Sequence, residues 1–345
     1  TFIFSENHSI YFDGSNDYGA IQNLYYNQSN QIGQLTVSIW VKVPTNGGGW
    51  SLVDFDRSEY YNVTVECGSQ GPNTGMCAGD GGLVGFHTTS PGIGTKDMHS
   101  YTYLNDNQWH HIVCVFNTNA QYDKMIYVDG VLDSYWDAHP NGYKLGTGAT
   151  RYGFLGDGSE ASSFNSSRNN EYYKGSMDEV QIWHRAFSAS EVQELYNYNT
   201  SNNSNLVLHY DFNAGSGSTV IDITGNGKNA TLYNGVAWID GGAPTCQSST
   251  EICDGIDNDC DDQIDEGCIW CCDDDDGDGY VGVDDPRFVM ASSCNPDQTG
   301  GYETLCTSVS TCNVSGGYNW VSNCSEDCSN DLDGNNNVYP GAPEL

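Results

Sequence analysis

Apolar and polar residues take turns along Leu35-Thr36-Val37-Ser38-Ile39-Trp40-Val41-Lys42-Val43. A period of two puts alternate side chains on opposite faces, so this stretch predicts a strand with one buried side. Met177-Asp178-Glu179-Val180-Gln181-Ile182-Trp183 has the same period, and His8-Ser9-Ile10-Tyr11-Phe12 runs into a turn at Asp13-Gly14-Ser15-Asn16-Asp17. Ile112-Val113-Cys114-Val115-Phe116 is apolar at every position, which predicts a central strand covered on both faces. Met125 to Leu132 folds back at Asp129-Gly130, a dipeptide suited to a two-residue hairpin turn. One segment, Ser188 to Tyr196, reads as helix, with Ser188 as N-cap and Glu191 closing a capping box. Short strands, regular turn signals and almost no helix predict an all-β fold, an antiparallel jelly-roll β-sandwich.

Composition breaks this pattern near residue 245. Residues 1–245 hold 24 acids, 10 bases and 3 cysteines; residues 246–345 hold 22 acids, one base (Arg287) and 11 cysteines. Asp240-Gly241-Gly242-Ala243-Pro244 marks the boundary. The expected organisation is a sandwich over 1–240, a linker over 241–245, and over 246–345 a small disulfide-rich calcium-loop module with little regular secondary structure.

The formal charge of −35 excludes nucleic acid, whose phosphates need a basic face, and direct attraction to anionic lipid. Such a charge strains a compact fold unless cations neutralise it. Fourteen cysteines indicate an oxidising compartment. Cys67 and Cys77 are expected to staple one loop, Cys114 to be a buried free thiol, and Cys253 and Cys260 to lie in disulfides of a module whose connectivity stays open. Nine Asn-X-Ser/Thr sequons, at Asn7, Asn27, Asn62, Asn165, Asn199, Asn202, Asn229, Asn313 and Asn323, are glycosylation candidates. No apolar run approaches the roughly 20 residues that span a bilayer, and no leader is visible at Thr1, so the chain reads as a mature or trimmed secreted protein, extracellular or at a cell surface.

The acidic region offers metal ligands. In Asp274-Asp275-Asp276-Gly277-Asp278-Gly279-Tyr280, carboxylates recur at every second position and a glycine follows, matching positions one, three, five and six of a calcium loop. Tyr280 supplies a carbonyl at the seventh position and Asp285 a carboxylate at the twelfth. No helix pattern flanks the loop, which separates it from a true EF-hand. Cysteine spacings such as Cys268-X2-Cys271 and Cys324-X3-Cys328 invite zinc or an iron–sulfur cluster instead, but form no clean tetrad beside so many hard oxygens.

Two resemblances extend this reading. Ile10 to Tyr18, Thr36 to Lys42, Asn107-Gln108-Trp109-His110-His111-Ile112-Val113, Tyr127-Val128-Asp129-Gly130 and Gly175 to Trp183 followed by Ser188-Ala189-Ser190-Glu191 resemble, in order, the laminin-G-like domains of the concanavalin A-like lectin/glucanase superfamily. That resemblance implies the jelly-roll sandwich, a role in binding glycans or extracellular matrix, and a calcium site on the sandwich to which Asp13 and Asp178 contribute. Leu206 to Trp238 resembles the opening of a second such domain; being too short for a whole one, it is expected to add strands to the same sandwich. Cys253 to Gly267 is similar to the metal-binding repeat of MopE-type secreted bacterial proteins, which implies Asp257, Asp259, Asp261 and Asp265 as ligands, with Glu266 beside them and Gln263 offering a carbonyl. That family has glycine after the third of these aspartates, where this chain has Asp262. Asp327 to Glu344 resembles the end of the same unit and places Asp331, Asp333 and Asn335 as a third ligand set.

Catalysis is not expected. The superfamily includes glycoside hydrolases, but the Glu-X-Asp-X-(X)-Glu strand pattern is missing. Asp178 and Glu179 are adjacent, so they face opposite sides of a strand. His110 and His111 are adjacent too, and in this family that motif is structural. A glycan platform needs exposed aromatics beside polar groups, for which Tyr60, Tyr61, Tyr101, Tyr103, Tyr135 and Trp136 are candidates. The sequence thus favours a calcium-dependent adhesion protein that binds carbohydrate or matrix. Its alternatives are a self-assembling subunit of an extracellular filament or coat, and the accessory binding region of a larger secreted hydrolase.

Overall fold

The computed structural model describes residues 7–77, 79–197 and 203–244, and beyond them the backbone of five strands between 269 and 321. The chain divides into two units, Thr1–Thr245 and Cys246–Leu345.

In the first unit the strands are β1 (His8–Asp13), β2 (Tyr18–Tyr26), β3 (Gln34–Lys42), β4 (Gly48–Gly49), β5 (Ser51–Asp54) and β6 (Tyr61–Glu66). There follow β7 (Gly71–Pro72), β8 (Gly79–Asp80), β9 (Leu83–Ser90), β10 (Gly94–Tyr103), β11 (Trp109–Asn117), β12 (Lys124–Val128) and β13 (Val131–Trp136). After β14 (Arg151–Leu155) and β15 (Lys174–Trp183) come the helix α1 (Ala189–Tyr196) and then β16 (Leu206–Tyr210), β17 (Thr219–Val220), β18 (Ala230–Tyr233) and β19 (Ala237–Asp240).

These strands form two antiparallel sheets. The first runs β13-β12-β11-β3-β15-β1-β19, and the second β17-β18-β2-β14-β5-β6-β9-β10-β7. Each lends one face to a shared core that includes Ile10, Phe12, Ile39 and Val41 from the first sheet and Val63, Val65, Phe86 and Met98 from the second. Burying one such side chain stabilises the fold by about 1.5–3 kcal/mol. The segment after the helix belongs to the same sandwich: β16 pairs with β15, β18 with β2, and β19 with β1.

β11 lies between β3 and β12, in the central position its apolar run predicts. Ile112, Cys114 and Phe116 face the main core. Val113 and Val115 face the other way and pack with Val192 and Leu195 of α1. The helix begins as its capping box requires, with Ser188 accepting from the Glu191 amide. The hairpin turns at Asp129 (φ 49°) and Gly130 (φ 74°), two left-handed residues that match the right-handed twist of the strands.

In the second unit five short strands are described. β20 (Ile269–Asp274) lies between β21 (Phe288–Ala291) and β22 (Tyr302–Leu305), and β23 (Thr311–Asn313) pairs with β24 (Asn319–Val321), all antiparallel. Each is only three to six residues long, too short for a period-two pattern to stand out.

Candidate functional site

Two features sit where β7, β10 and β13 come together. One is a buried polar cluster on the second sheet; the other is a group of exposed tyrosines beside it.

The cluster follows from strand alternation. On β6, Val63 and Val65 face the core, so Asn62, Thr64 and Glu66 face outward. The register pairs Asn62 with His87 and Thr64 with Gly85 on β9. It then pairs His87 with Asp97 and Gly85 with His99 on β10. Glu66, His87 and His99 therefore share the outer face of three adjacent strands, and the ligand atoms they offer lie within 4.8 Å of one another. All three are buried, beneath the loop that the Cys67–Cys77 disulfide closes. From that loop the Cys77 amide donates to Glu66 Oε1 (3.1 Å), and Thr74 Oγ1 meets His99 Nδ1 (2.6 Å).

His99 Nε2 lies 2.7 Å from Glu66 Oε1, and His87 Nε2 lies 3.4 Å from the same oxygen. On its other side, His87 Nδ1 lies 3.0 Å from Asp97 Oδ1, and Arg57 grips the Asp97 carboxylate through two nitrogens. Burial alone would raise the Glu66 carboxyl, but the hydrogen bonds from His87 and His99 outweigh it and hold the pKa at about 2. Burial likewise works against a charged His87, yet its bonds with Asp97 and Glu66 raise its pKa above the ordinary value.

The tyrosines flank this cluster. Tyr101 and Tyr103 continue β10 two and four residues beyond His99 and are 52% and 56% exposed. Tyr135 on β13 is 48% exposed and lies against Tyr122, ring centroids 4.1 Å apart. Asp133 joins the two strands, its carboxylate accepting from the amides of Tyr101 and Thr102. Tyr135 stands two residues past Asp133, about 7 Å along the strand. Exposed tyrosines thus stand on the two strands that Asp133 joins. Of the other aromatic candidates, Tyr60 and Tyr61 are fully buried in the core, because β6 begins at Tyr61 rather than in a loop. Trp136 is half-buried against the core, with the Lys124 ammonium 5.8 Å from its ring.

The remaining expectations fall as follows. Cys67–Cys77 forms and Cys114 is a buried free thiol. Asp13 and Asp178 do not converge on one calcium. Asp13 pairs with Lys174, while Asp178 lies four residues further along β15, about 13 Å away. Asp178 is buried, its oxygens taken by the amides of Glu179 and Ala243, and burial raises its pKa to about 8. Asp13 caps its own turn by accepting from the Ser15 amide. Glu179 turns instead to His209. His110 and His111 both serve the hairpin: the Asp129 carboxylate meets His110 Nδ1 (2.8 Å) and accepts from the His111 amide (2.8 Å).

Asn62 is a correction among the sequons. It is fully buried and its Nδ2 donates to Ser51 Oγ, so the folded sheet has no room for a glycan there. Asn7, Asn27, Asn165 and Asn229 are half-buried, and Asn7 Nδ2 donates to the Ala243 carbonyl. Asp274 ends β20 and Asn313 ends β23, where the backbone alone is described. Asp257, Asp259, Asp261, Gln263, Asp265, Glu266, Asp276, Asp278, Tyr280, Asp285, Asp331, Asp333 and Asn335 lie outside the described residues, as do Cys253, Cys260, Asn199, Asn202 and Asn323.

Sequence reasoning missed the Glu66, His87 and His99 cluster. The available signal was Glu66-Cys67 entering a disulfide loop, with two histidines twelve residues apart on alternating strands.

The family model of the concanavalin A-like lectin/glucanases superfamily matches residues 13–193. A Bacteroides ovatus protein assigned to carbohydrate binding is similar at 15% identity, over 70% of this chain and 61% of that one, with a TM-score of 0.48. A heptameric SAP-like pentraxin from Limulus polyphemus is 14% identical over 69% of this chain and 97% of its own, with a TM-score of 0.44. Domain 4 of an extracellular GH43 arabinanase from Geobacillus stearothermophilus, solved with arabinotriose, is 18% identical over 55% of this chain and 76% of that one, with a TM-score of 0.38. No curated protein matches.

Proposed function

Because the chain belongs to the concanavalin A-like lectin/glucanases superfamily, we propose that it is an extracellular, calcium-dependent adhesion protein that binds carbohydrate or matrix glycans without turning them over. The observation that carries this reading is the exposed set Tyr101, Tyr103 and Tyr135 on the two strands that Asp133 joins. Sugar rings present apolar C–H faces ringed by hydroxyls. Aromatic faces receive the former, and a carboxylate accepts from the latter. Calcium enters through the acidic second unit, whose alternating aspartates suit a hard cation. The Cys67–Cys77 bond and the sequons support an oxidising, extracellular setting. Among the described residues no helix is long and apolar enough to cross a membrane.

The test is a glycan array probed with the whole chain in calcium and in EDTA, beside Tyr101→Ala and Tyr135→Ala. Binding that the substitutions weaken supports the platform; binding that they leave intact, or no binding to any glycan, removes it. Self-assembly is the second reading, favoured by Val131 and Leu132, 65% and 40% exposed on the edge strand β13. Electron microscopy of the native material separates the two.

A further inference from the structure

The buried cluster on the second sheet brings three metal-ligating side chains together. Glu66, His87 and His99 lie on β6, β9 and β10, with Gly85 in the row between Thr64 and His99. Gly85 keeps this place open. A Cβ there would stand 2.2 Å from Thr64 Oγ1 and 2.4 Å from His87 Nε2, so any other residue would displace the His87 imidazole from its place beside Glu66.

Each histidine is oriented through its far nitrogen, His87 by Asp97 and His99 by Thr74, and Asp97 is itself held by Arg57. Both Nε2 atoms are thereby aimed at Glu66. Metal-ligating histidines are held in this way, one nitrogen fixed by a carboxylate or another polar group and the other turned to the ion.

A second observation is independent of this arrangement. Glu66 is fully buried; its Oε1 meets both histidines and the Cys77 amide, while its Oε2 is buried without a hydrogen-bond partner. An unmatched carboxylate oxygen in the interior is costly, and a cation beside it would remove that cost.

We propose that Glu66, His87 and His99 bind one divalent ion of the zinc class, which ties β6, β9 and β10 together beneath the disulfide loop. Two imidazole nitrogens and one carboxylate oxygen suit zinc or cobalt and suit calcium poorly, because calcium takes six or more oxygens. The ion's place is structural. It would rigidify the end of β10 that leads into Tyr101, without depending on the glycan reading of that tyrosine.

The test uses the full chain, stripped with a chelator and returned to saturating calcium so that the acidic unit is occupied. Cobalt(II) is then titrated in and followed by its visible absorption, and zinc by the shift in melting temperature. The expected result is one cobalt per chain, displaced by zinc, with zinc raising the melting temperature. Thr74→Val keeps all three ligands and removes the group that orients His99, so it should weaken cobalt binding about 10–100-fold with the far-ultraviolet circular dichroism unchanged. His99→Gln should abolish the absorption. If that variant does not fold, Thr74→Val still decides. No cobalt absorption and no zinc-dependent melt in the unaltered chain would overturn the site, as would a Thr74→Val chain that binds cobalt as tightly.

Discussion

The Asp133 carboxylate accepts a hydrogen bond from the backbone amide of Tyr101, and so ties the edge strand of the first sheet to the end of β10 in the second. Its other oxygen takes the next amide, Thr102, at 3.0 Å. One side chain thus links the two sheets at the edge where the exposed tyrosines stand. Replacing Tyr101 or Tyr135 by alanine should lower glycan affinity about tenfold each, the equivalent of about 1.4 kcal/mol per ring. Asp133→Ala should lower it through loss of alignment, and should also release the Tyr101 and Thr102 amides to exchange. Glycan titration with hydrogen exchange on the same samples checks both effects. Slow exchange at Tyr101 in Asp133→Ala would show that the carboxylate does not hold this edge.

The Cys67–Cys77 bond closes a loop of about ten residues, and a cross-link of that size stabilises by about 2–3 kcal/mol through the unfolded chain. Its loop also covers Glu66 and His99, so losing the bond would let water reach a buried carboxylate. A Cys67→Ser/Cys77→Ser chain should therefore lose at least that much in denaturant unfolding. An unchanged midpoint would mean that the loop's hydrogen bonds suffice without the cross-link.

How much of this was legible in the sequence differs by feature. Alternation located β3 and β15, though β3 is buried on both faces rather than one; Asp129-Gly130 gave the hairpin, and Ser188 with Glu191 gave the helix, because each signal is complete within a few residues. The Cys67–Cys77 pairing was legible for the same reason. The Glu66, His87 and His99 cluster was not. Its members reach one another through the register of β6 on β9 and of β9 on β10, which no local pattern encodes. Asp13 and Asp178 are the opposite case: the family resemblance suggested that both contribute to one site, and the β1–β15 register holds them apart. Tyr60 and Tyr61 followed a turn-like run, Asp56 to Glu59, yet their rings pack inward with Tyr26.

Burial and the nearby Asp157 carboxylate raise the Glu171 pKa from 4.5 to about 7. A raised carboxyl pKa favours the protonated form in the fold, so its stabilising contribution is complete below about pH 4.5 and is lost as pH rises through 7. Glu171→Gln cannot ionise. It should match the unaltered chain near pH 4 and exceed it by about 1–2 kcal/mol at pH 8, a figure reduced for the side chain's remaining contact with water. Melting temperatures across pH 4–8 check this, and parallel curves for the two chains would contradict it.

His111 shows the reverse sign. It is buried against Ser38, and burial lowers its pKa from 6.5 to about 3. The unfolded chain takes up a proton as pH falls below 6.5 while the folded chain resists until about 3, so stability drains away through that window. His111→Gln should be less stable than the unaltered chain at pH 7, through lost packing on Trp40, and should lose less between pH 6 and 4. Equal slopes in that range would remove His111 as the acid-sensitive group.

Calcium removal should separate the two units. The second carries 22 acids against one base in 100 residues, and mutual repulsion among its carboxylates opposes any compact arrangement until cations intervene. The first carries its own core of two facing sheets, and its expected calcium ligands, Asp13 and Asp178, do not meet. Calorimetry with disulfides intact should therefore show two transitions in calcium. EDTA should lower the one that belongs to residues 246–345 and leave the sandwich's transition nearly in place. Elemental analysis of the purified chain should find two or more calcium ions. A melt that EDTA leaves unchanged, with no calcium bound, would mean that disulfides alone hold the second unit and that its aspartates are solvated. Loss of both transitions together would instead place a calcium ion on the sandwich itself, at ligands other than the Asp13 and Asp178 pair.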